Sequence, residues 1–589
     1  MIKDVIKNRL KLFSFCFIFI LLIFFITFQI CGKFVQGTIL DLISFFIFSF
    51  LFFLNLNYIS LKSRILLKTK SNFSLIQSIS FLLLFSYILF YSYFLQNKLS
   101  IICIIVIQIS IFFDIFINTR KFLIISYSSD RVLNFFAFFI IGIFYILAAR
   151  LFEPLNDIHL ESIAGYRWMS LPTDNQISRI FADKLYQNLD PRDFEVGIGW
   201  TSSDRPPLCT SFILLFRPFF ELLNIPTKTS SYSITIGFQL IWIPVLLNIL
   251  NIWKINRVYS FMILLSFAFN GFIFHNSIYT WPKLGAGALL LYAFFIYHKN
   301  GLIKTHNTII ISILTSLAWL SHGGVSISII PILLIVICRP KYFKVKQFII
   351  AGAIAASLCL PWTAYQKLYD PPGDRLLKWH IGGQPEAIDK SLSETIYESY
   401  SSTSIEEWIE NRKLNFLRLF GDSFSYLSIT SSSSSQRIGN DFYFFFRSHE
   451  ITILLSCLLA IYLILKRGCK STMHDMYKGR LFLSLIFLSL TFWILLLFMP
   501  KSTVTHSGSY LNNLVLMIIL HIFLYKFSKP LLIMNTIIYF IYFSTTYLPE
   551  YNSNFGNINY FSLFNLISLF IISIFAGLRL ISNKPLAKK

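Results

Sequence analysis

Three aspartates, Asp157, Asp174 and Asp204, lie in one polar stretch of an otherwise apolar chain. Cations follow them: Arg205 beside Asp204, Lys283 after Trp281-Pro282, and His322 before Gly323-Gly324. Arg375, Lys378 and His380 come just behind Asp370-Pro371-Pro372-Gly373-Asp374. A carboxylate can take the proton of a hydroxyl nucleophile, and fixed cations can stabilise a phosphate as it leaves. These residue types together fit transfer of a group from a phosphate ester to an alcohol. Trp168, Trp200, Trp281 and Trp379 offer ring faces for sugar or lipid.

Each residue also has a plainer reading. Asp157 can simply solvate a loop. Asp174-Asn175 can be the N-cap of a helix starting near Gln176. Lys283 can be an interfacial anchor, His322 a turn residue, and Asp370-Pro-Pro-Gly a turn. Ser203-Asp204-Arg205-Pro206-Pro207-Leu208 is more specific, because a bare loop seldom needs an adjacent Asp-Arg and a rigid Pro-Pro. There is no P-loop, HExxH or GxSxG setting.

The elements that must hold these residues are set by composition. Of 589 residues, 55% are hydrophobic and only 13% charged, against about 25% charged in a soluble domain. Phe alone occurs 65 times. A bilayer absorbs this much apolar surface; a single soluble core does not. The net charge of +23 is spread over short links between apolar runs, as the positive-inside rule expects, so nucleic acid is not a partner. The eight Cys show no CxxC, no metal-ligand spacing and no disulfide framework. A divalent metal is not indicated. The basic start, Met1 to Leu10, precedes an apolar run too long for a signal peptide, and we read it as a retained first helix.

Spans of roughly 20 apolar residues are expected at Leu12–Ile30, Ile39–Asn57, Leu75–Leu95, Ile101–Ile117 and Val132–Ala149. Six follow between Ile234 and Tyr365, and five between Ile451 and Leu580. The expected fold is an all-α polytopic membrane protein of about sixteen spans, with basic links and both termini on the cytoplasmic side. Two large loops, 150–210 and 366–450, then share the outer face. They separate an N-terminal membrane region (1–149), a central bundle (211–365) and a C-terminal region (451–589). Ser211–Leu223, with Arg217 and Glu221 in its middle, is expected to lie in the outer interface or to re-enter rather than to cross.

On this layout the chain resembles the GT-C superfamily of membrane glycosyltransferases. The likeness rests on Asp157 shortly after a span, on Leu171-Pro-Thr-Asp174-Asn175, and on Trp200-Thr-Ser-Ser-Asp204-Arg205-Pro206-Pro207-Leu208 ahead of the next membrane segment. It covers roughly residues 145 to 365. Four extra helices come first, and Asp157-Ile-His159 stands where a paired acidic motif is usual. The resemblance implies a polyprenyl-phosphate-linked sugar as donor and inverting transfer on the periplasmic face of a bacterial inner membrane. It implies Asp157 as base, with Asp174 and Asp204 as rivals, and Arg205, Lys283, His322, Arg375, Lys378 and His380 around the donor phosphate. The acceptor would be lipopolysaccharide, O-antigen, another envelope glycan, a lipid or a protein. An O-antigen polymerase or ligase and a non-enzymatic lipid-linked polysaccharide flippase are the competing expectations.

Overall fold

The computed structural model describes residues 36–66, 74–126, 128–150, 173–193, 199–386, 388, 390–421, 434–467, 479–498 and 510–547. Among the described residues no β-strand forms; one isolated bridge joins Leu302 to Phe343. Seven helices are long and apolar enough to cross a membrane, or eight if one bent pair counts as a span. The described residues are therefore all-helical in their regular structure and carry the apolar helices of a membrane-embedded protein.

Sixteen spans were expected over the whole chain, and these seven or eight are the ones among the described residues. Leu12–Ile30 and Tyr560–Leu580 lie outside the described residues. Elsewhere the apolar runs fold into pieces shorter than a bilayer crossing, such as Ser326–Ile337 and Arg480–Leu496. A hydropathy run records how apolar a stretch is, but not where packing against neighbours breaks the helix.

The first two helices set the ends of the bundle. α1 (Gln36–Leu66) is followed by α2 (Leu75–Ile117). Gln96 takes an extended conformation inside α2 (φ −161°, ψ 90°). The Ser100 hydroxyl then donates to Ser92 Oγ at 2.9 Å, whereas eight residues of straight helix would separate them by about 12 Å. So α2 is a hairpin. Its return arm pairs with α1 through Asn55 and Gln108 and brings Asp114 to 2.8 Å from Lys62. Gln96 marks one end of the bundle, and Lys62 with Asp114 the other. At the Lys62 end, α3 (Ser129–Arg150) starts with Arg131 bound to Asn57 and Ser60.

Two helices follow from the polar stretch, α4 (Ile177–Tyr186) and α5 (Leu208–Leu222). α5 contains the segment expected to lie in the outer interface or to re-enter, and in the structure it packs among other helices. From Leu208 to Pro218 every residue is buried. Ser211 meets Ser86 at 3.3 Å, Leu214 accepts from Tyr93, and Arg217 sits over the Tyr186 ring. Asn97, at the Gln96 turn, donates to the Tyr186 carbonyl. α5 thus starts partway down the bundle and emerges at the Gln96 end. Its charges are not bare: Arg217 pairs with Asp183 at 2.5 Å and Glu221 at 3.2 Å. These contacts hold the segment inside the bundle near the Gln96 end.

α6 (Thr227–Gln239) and α7 (Trp242–Ile252) then run back to the Lys62 end, where Asn251 reaches Asp130. A Cβ on Gly237 would lie 1.9 Å from the Phe48 ring, so only glycine lets α6 pack this closely on α1. α8 (Arg257–Ala268) and α9 (Gly271–Ile278) form the bent pair, with 65° between them. α10 (Lys283–Asn300) packs antiparallel to α11 (Thr305–Ser321), whose His306 lies 3.4 Å from Gln77. Gln77 is at the Lys62 end, so Lys283 starts its helix toward the Gln96 end. α12 (Val345–Ala364) climbs beside α2, with Tyr87 donating to the Leu358 carbonyl and Phe94 against Tyr365. It delivers the chain to α13 (Arg375–Gly382). Later, α14 (Ser434–Tyr443) and α15 (Tyr510–Phe527) close over the same region.

Candidate anion site at the Gln96 end

Asp174 lies in a short helical turn, Thr173–Gln176, ahead of α4. Its side chain does not cap α4, whose N-cap Gln176 makes no side-chain cap bond. It accepts instead from Arg205 in a close ion pair, from Trp281 Nε1 at 2.8 Å and from the Tyr279 hydroxyl at 3.4 Å. Asp174, Arg205, Tyr279 and Trp281 are all buried. An ion pair holds in such a place only when further hydrogen bonds satisfy its atoms, and the two aromatic donors supply them.

Lys283 comes from the opposite side. Thr280 takes φ +64°, a left-handed conformation that costs a β-branched residue about 1–2 kcal/mol. The turn it makes sets Trp281 toward Asp174 and starts α10 at Lys283. The Lys283 Nζ lies 3.6 Å from the centre of the Trp281 ring and 5.9 Å from that of Tyr510. Among the described residues it has neither a hydrogen bond nor a carboxylate partner. Burial, and then the Arg205 guanidinium, hold its amine well below the ordinary lysine value, with Asp174 pulling the other way. α10 opens without an acidic residue in its first turn and without a side-chain cap from Pro282; the Gly285 amide donates to Gln239 of α6 at 3.0 Å.

His380, on α13, completes this group. Burial pushes its pKa down to about 3, helped by Lys283 and Arg205. Its Nδ1 makes no hydrogen bond among the described residues; nor does Arg205 Nε.

A second layer adjoins the first through Trp200. Arg205 and Arg375 lie 4.9 and 4.7 Å from its ring centre, and the Trp379 ring lies tilted to it 6.2 Å away. Arg375 is 3.7 Å from Asp204 and donates to the carbonyls of Gly199 and Pro385. Asp204 also accepts from the Thr201 amide at 2.8 Å. Burial raises its pKa, with the Thr201 amide and Arg375 acting against it. Asp370 fastens this loop from behind, accepting from Ser202 Oγ at 2.6 Å and the Ser203 amide at 2.9 Å.

The structure thus brings Asp174, Arg205, Lys283 and His380 into one group, with Asp204 and Arg375 next to it. Lys378 is turned elsewhere, to Asp374 at 2.8 Å and the Ile388 carbonyl at 2.9 Å. His322 accepts from the Gly324 amide at 3.0 Å in the turn after α11. Asp157, His159 and Trp168 lie outside the described residues. Among the described residues no three His, Cys, Asp or Glu side chains gather as metal ligands.

Sequence reasoning passed over two contributors. Tyr279, two residues ahead of Trp281, carries no signal of its own in the sequence. Asp441, on α14, is buried and accepts from Tyr547 at 2.8 Å and Tyr542 at 3.3 Å. Burial lifts its carboxyl well above the usual range. Its neighbour Phe442 stacks on Trp281 with 6.2 Å between ring centres. The signal was an acid next to Phe442-Tyr443-Phe444-Phe445-Phe446, a charge in a run that otherwise asks to be buried. No protein-family model, curated protein or solved structure matches the chain, so the geometry of the site carries the functional reading.

Proposed function

We propose that the chain is a membrane glycosyltransferase of the GT-C kind. It moves a sugar from a polyprenyl-phosphate carrier to a hydroxyl of an envelope glycan, lipid or protein. The observation that carries this reading is Lys283, a cation facing Arg205 and His380 with no carboxylate of its own. Around it, two guanidiniums (Arg205, Arg375) stand against two carboxylates (Asp174, Asp204). Among the described residues Lys283 is the cation of this group with no carboxylate at ion-pair distance, and a phosphate headgroup supplies a negative charge for it to meet.

In the reaction the acceptor oxygen attacks the anomeric carbon and gives up its proton to a carboxylate. The carbon–oxygen bond to phosphate breaks, and its electron pair stays on the phosphate. Arg205 and Lys283 face that developing charge, where fixed donors in a dry site act most strongly. Asp174 already accepts from three donors and serves to hold Arg205 and Trp281. The base is Asp157 on this reading. The cations Lys62, Arg131 and Arg257 sit at the opposite end of the bundle from the site, which supports a periplasmic active face.

The test is transfer by the purified, lipid-reconstituted chain from a polyprenyl-phosphate sugar to envelope acceptors. Arg205→Ala and Lys283→Met should each lower the rate by about 10²–10³-fold while the protein stays monodisperse. Near-normal transfer in both variants, or transfer of a whole glycan from a diphosphate carrier only, defeats the proposal.

A further inference from the structure

The second polar stretch contains a helix, Ile405–Arg418, whose pattern is at odds with open water. Ile405, Ile409, Arg412 and Phe416 recur four, three and four residues apart, so they share one face. Ile405 is 78% exposed, Ile409 55% and Phe416 46%, and Trp408 on the flank is exposed as well. Arg412, in the middle of that face, is buried. Glu406, Glu407 and Glu410 stand on other sides of the helix, with Lys413 paired to Glu410 at 3.0 Å. An outward apolar face backed by charge is the pattern of a helix that lies among lipid headgroups, and Trp is a common anchor at that level.

The burial of Arg412 fixes where the face points. Its guanidinium donates to the carbonyls of Leu495 and Phe498, the second at 2.8 Å, and Asn415 donates to those of Ile494 and Leu497 at 3.1 and 2.9 Å. These carbonyls close the C-terminal end of the apolar helix Arg480–Leu496, where no partner exists within the helix itself. That end lies on the site's side of the bundle, because the Phe498 amide donates to the His380 carbonyl at 2.9 Å. Arg480–Leu496 exposes Leu483, Phe487 and Leu495, the side chains it turns to lipid. Ile405–Arg418 therefore lies across the tip of an apolar helix, with Arg412 as its point of support. Ile405 is seven residues from Arg412, about 10 Å along the axis, which is twice the radius of the helix beneath. The two isoleucines project past the tip, at the level where the lipid-facing surface ends.

We propose that Ile405–Arg418 is an interfacial helix, seated apolar face down in the headgroup layer of the leaflet on the site's side, with phospholipid as its occupant. The seat is independent of what the site binds. Its acidic sides turn to water and offer nothing to anionic headgroups, so apolar contact and not headgroup charge holds it. Phe498 carries the seat to the site: its carbonyl binds Arg412, its amide binds His380, and its ring meets Tyr400 with 5.1 Å between centres. The height of α13 thus follows the lipid surface.

The experiment places a nitroxide at single positions of the full chain in phosphatidylcholine nanodiscs, through a genetically encoded ketone residue that leaves the native cysteines in place. Oxygen concentrates in lipid and a nickel chelate stays in water, so their collision rates read depth. At Ile405 and Ile409 oxygen should exceed nickel several-fold; at Glu406 and Glu410 the order should reverse. Both results should persist when phosphatidylglycerol is added. Nickel in excess at all four positions overturns the proposal. So does shielding of Ile405 and Ile409 from both reagents, which marks a second copy or another protein on the face. A measurement without substitutions uses phosphatidylcholine carrying a diazirine beside its ester groups. After irradiation of the wild-type chain, adducts should fall on Ile405, Trp408 or Ile409. Adducts on Leu483 to Leu495 with none on Ile405–Arg418 also overturn the proposal.

Discussion

Changing Asp174 to Asn tests whether that carboxylate is an anchor or a reactant. The substitution keeps size and removes charge. Arg205 is buried, and Asp174 is its ion-pair partner. Taking one partner from a buried pair leaves the other uncompensated and costs about 3–5 kcal/mol. The Trp281 and Tyr279 bonds do not rescue it, because a neutral amide accepts them without answering the guanidinium. Removing both charges, as Asp174→Asn with Arg205→Met, should cost much less than the sum of the single changes and leave a folded protein. The assay is reversible unfolding in mixed micelles followed by Trp fluorescence, run as a double-mutant cycle. An anchor shows a coupling of several kcal/mol, and the double variant stays folded but inactive in transfer. A loss under about 1 kcal/mol for Asp174→Asn, with additive singles, would refute the account of a buried pair held by its neighbours.

Three further outcomes follow. Gly237→Ala drives a methyl into the Phe48 ring and should cost about 1–3 kcal/mol, seen as loss of monodisperse protein; a normal yield and melting temperature means α6 and α1 pack more loosely. The unfolded chain protonates His380 near its ordinary value of 6.5, whereas the folded site delays this to about 3. The unfolded state therefore binds more protons between those values, so stability should fall as pH drops through that window, and His380→Gln should flatten the slope measured by thermal melts. Cysteines placed at Asn188 and Lys390 should react with an impermeant maleimide from the periplasmic side, and one at Lys254 should not; the reverse pattern inverts the site's orientation.

The sequence made the site's chemistry legible where residue type and position coincide. Arg205 stands out through the Pro-Pro that follows it, and Lys283 through the Trp-Pro that precedes it; both reach the group around Asp174. Lys378 shows the limit. Its charge is spent on Asp374, one helical turn back, and nothing in the order of residues tells a local pair from a ligand-facing cation. The fold was legible as apolar runs joined by basic links, and the Gln96 break in α2 falls between two expected spans. The bends at Leu240–Ile241 and Phe269–Asn270 were not legible. The first interrupts an apolar run; at the second Asn270 caps the new helix, accepting from the Ile273 amide at 3.1 Å, within a stretch whose other residues are mostly apolar. The partners of Arg217 were not legible either, because Asp183 and Tyr186 arrive from another helix to neutralise and cover it.

The bond from the Gly285 amide to Gln239 has a mechanical meaning. A helix usually finishes its first turn with a side chain from just upstream. α10 borrows that group from α6, at the point where α6 gives way to α7. The start of one helix is thereby bolted to the end of another, and neither can shift along its axis without stranding a buried donor or acceptor. Trp281 and Lys283 ride on that joint. Any opening that admits a bulky lipid headgroup then has to come from the facing wall, where Arg205 and His380 hang on loop and short helix rather than on a bolted pair.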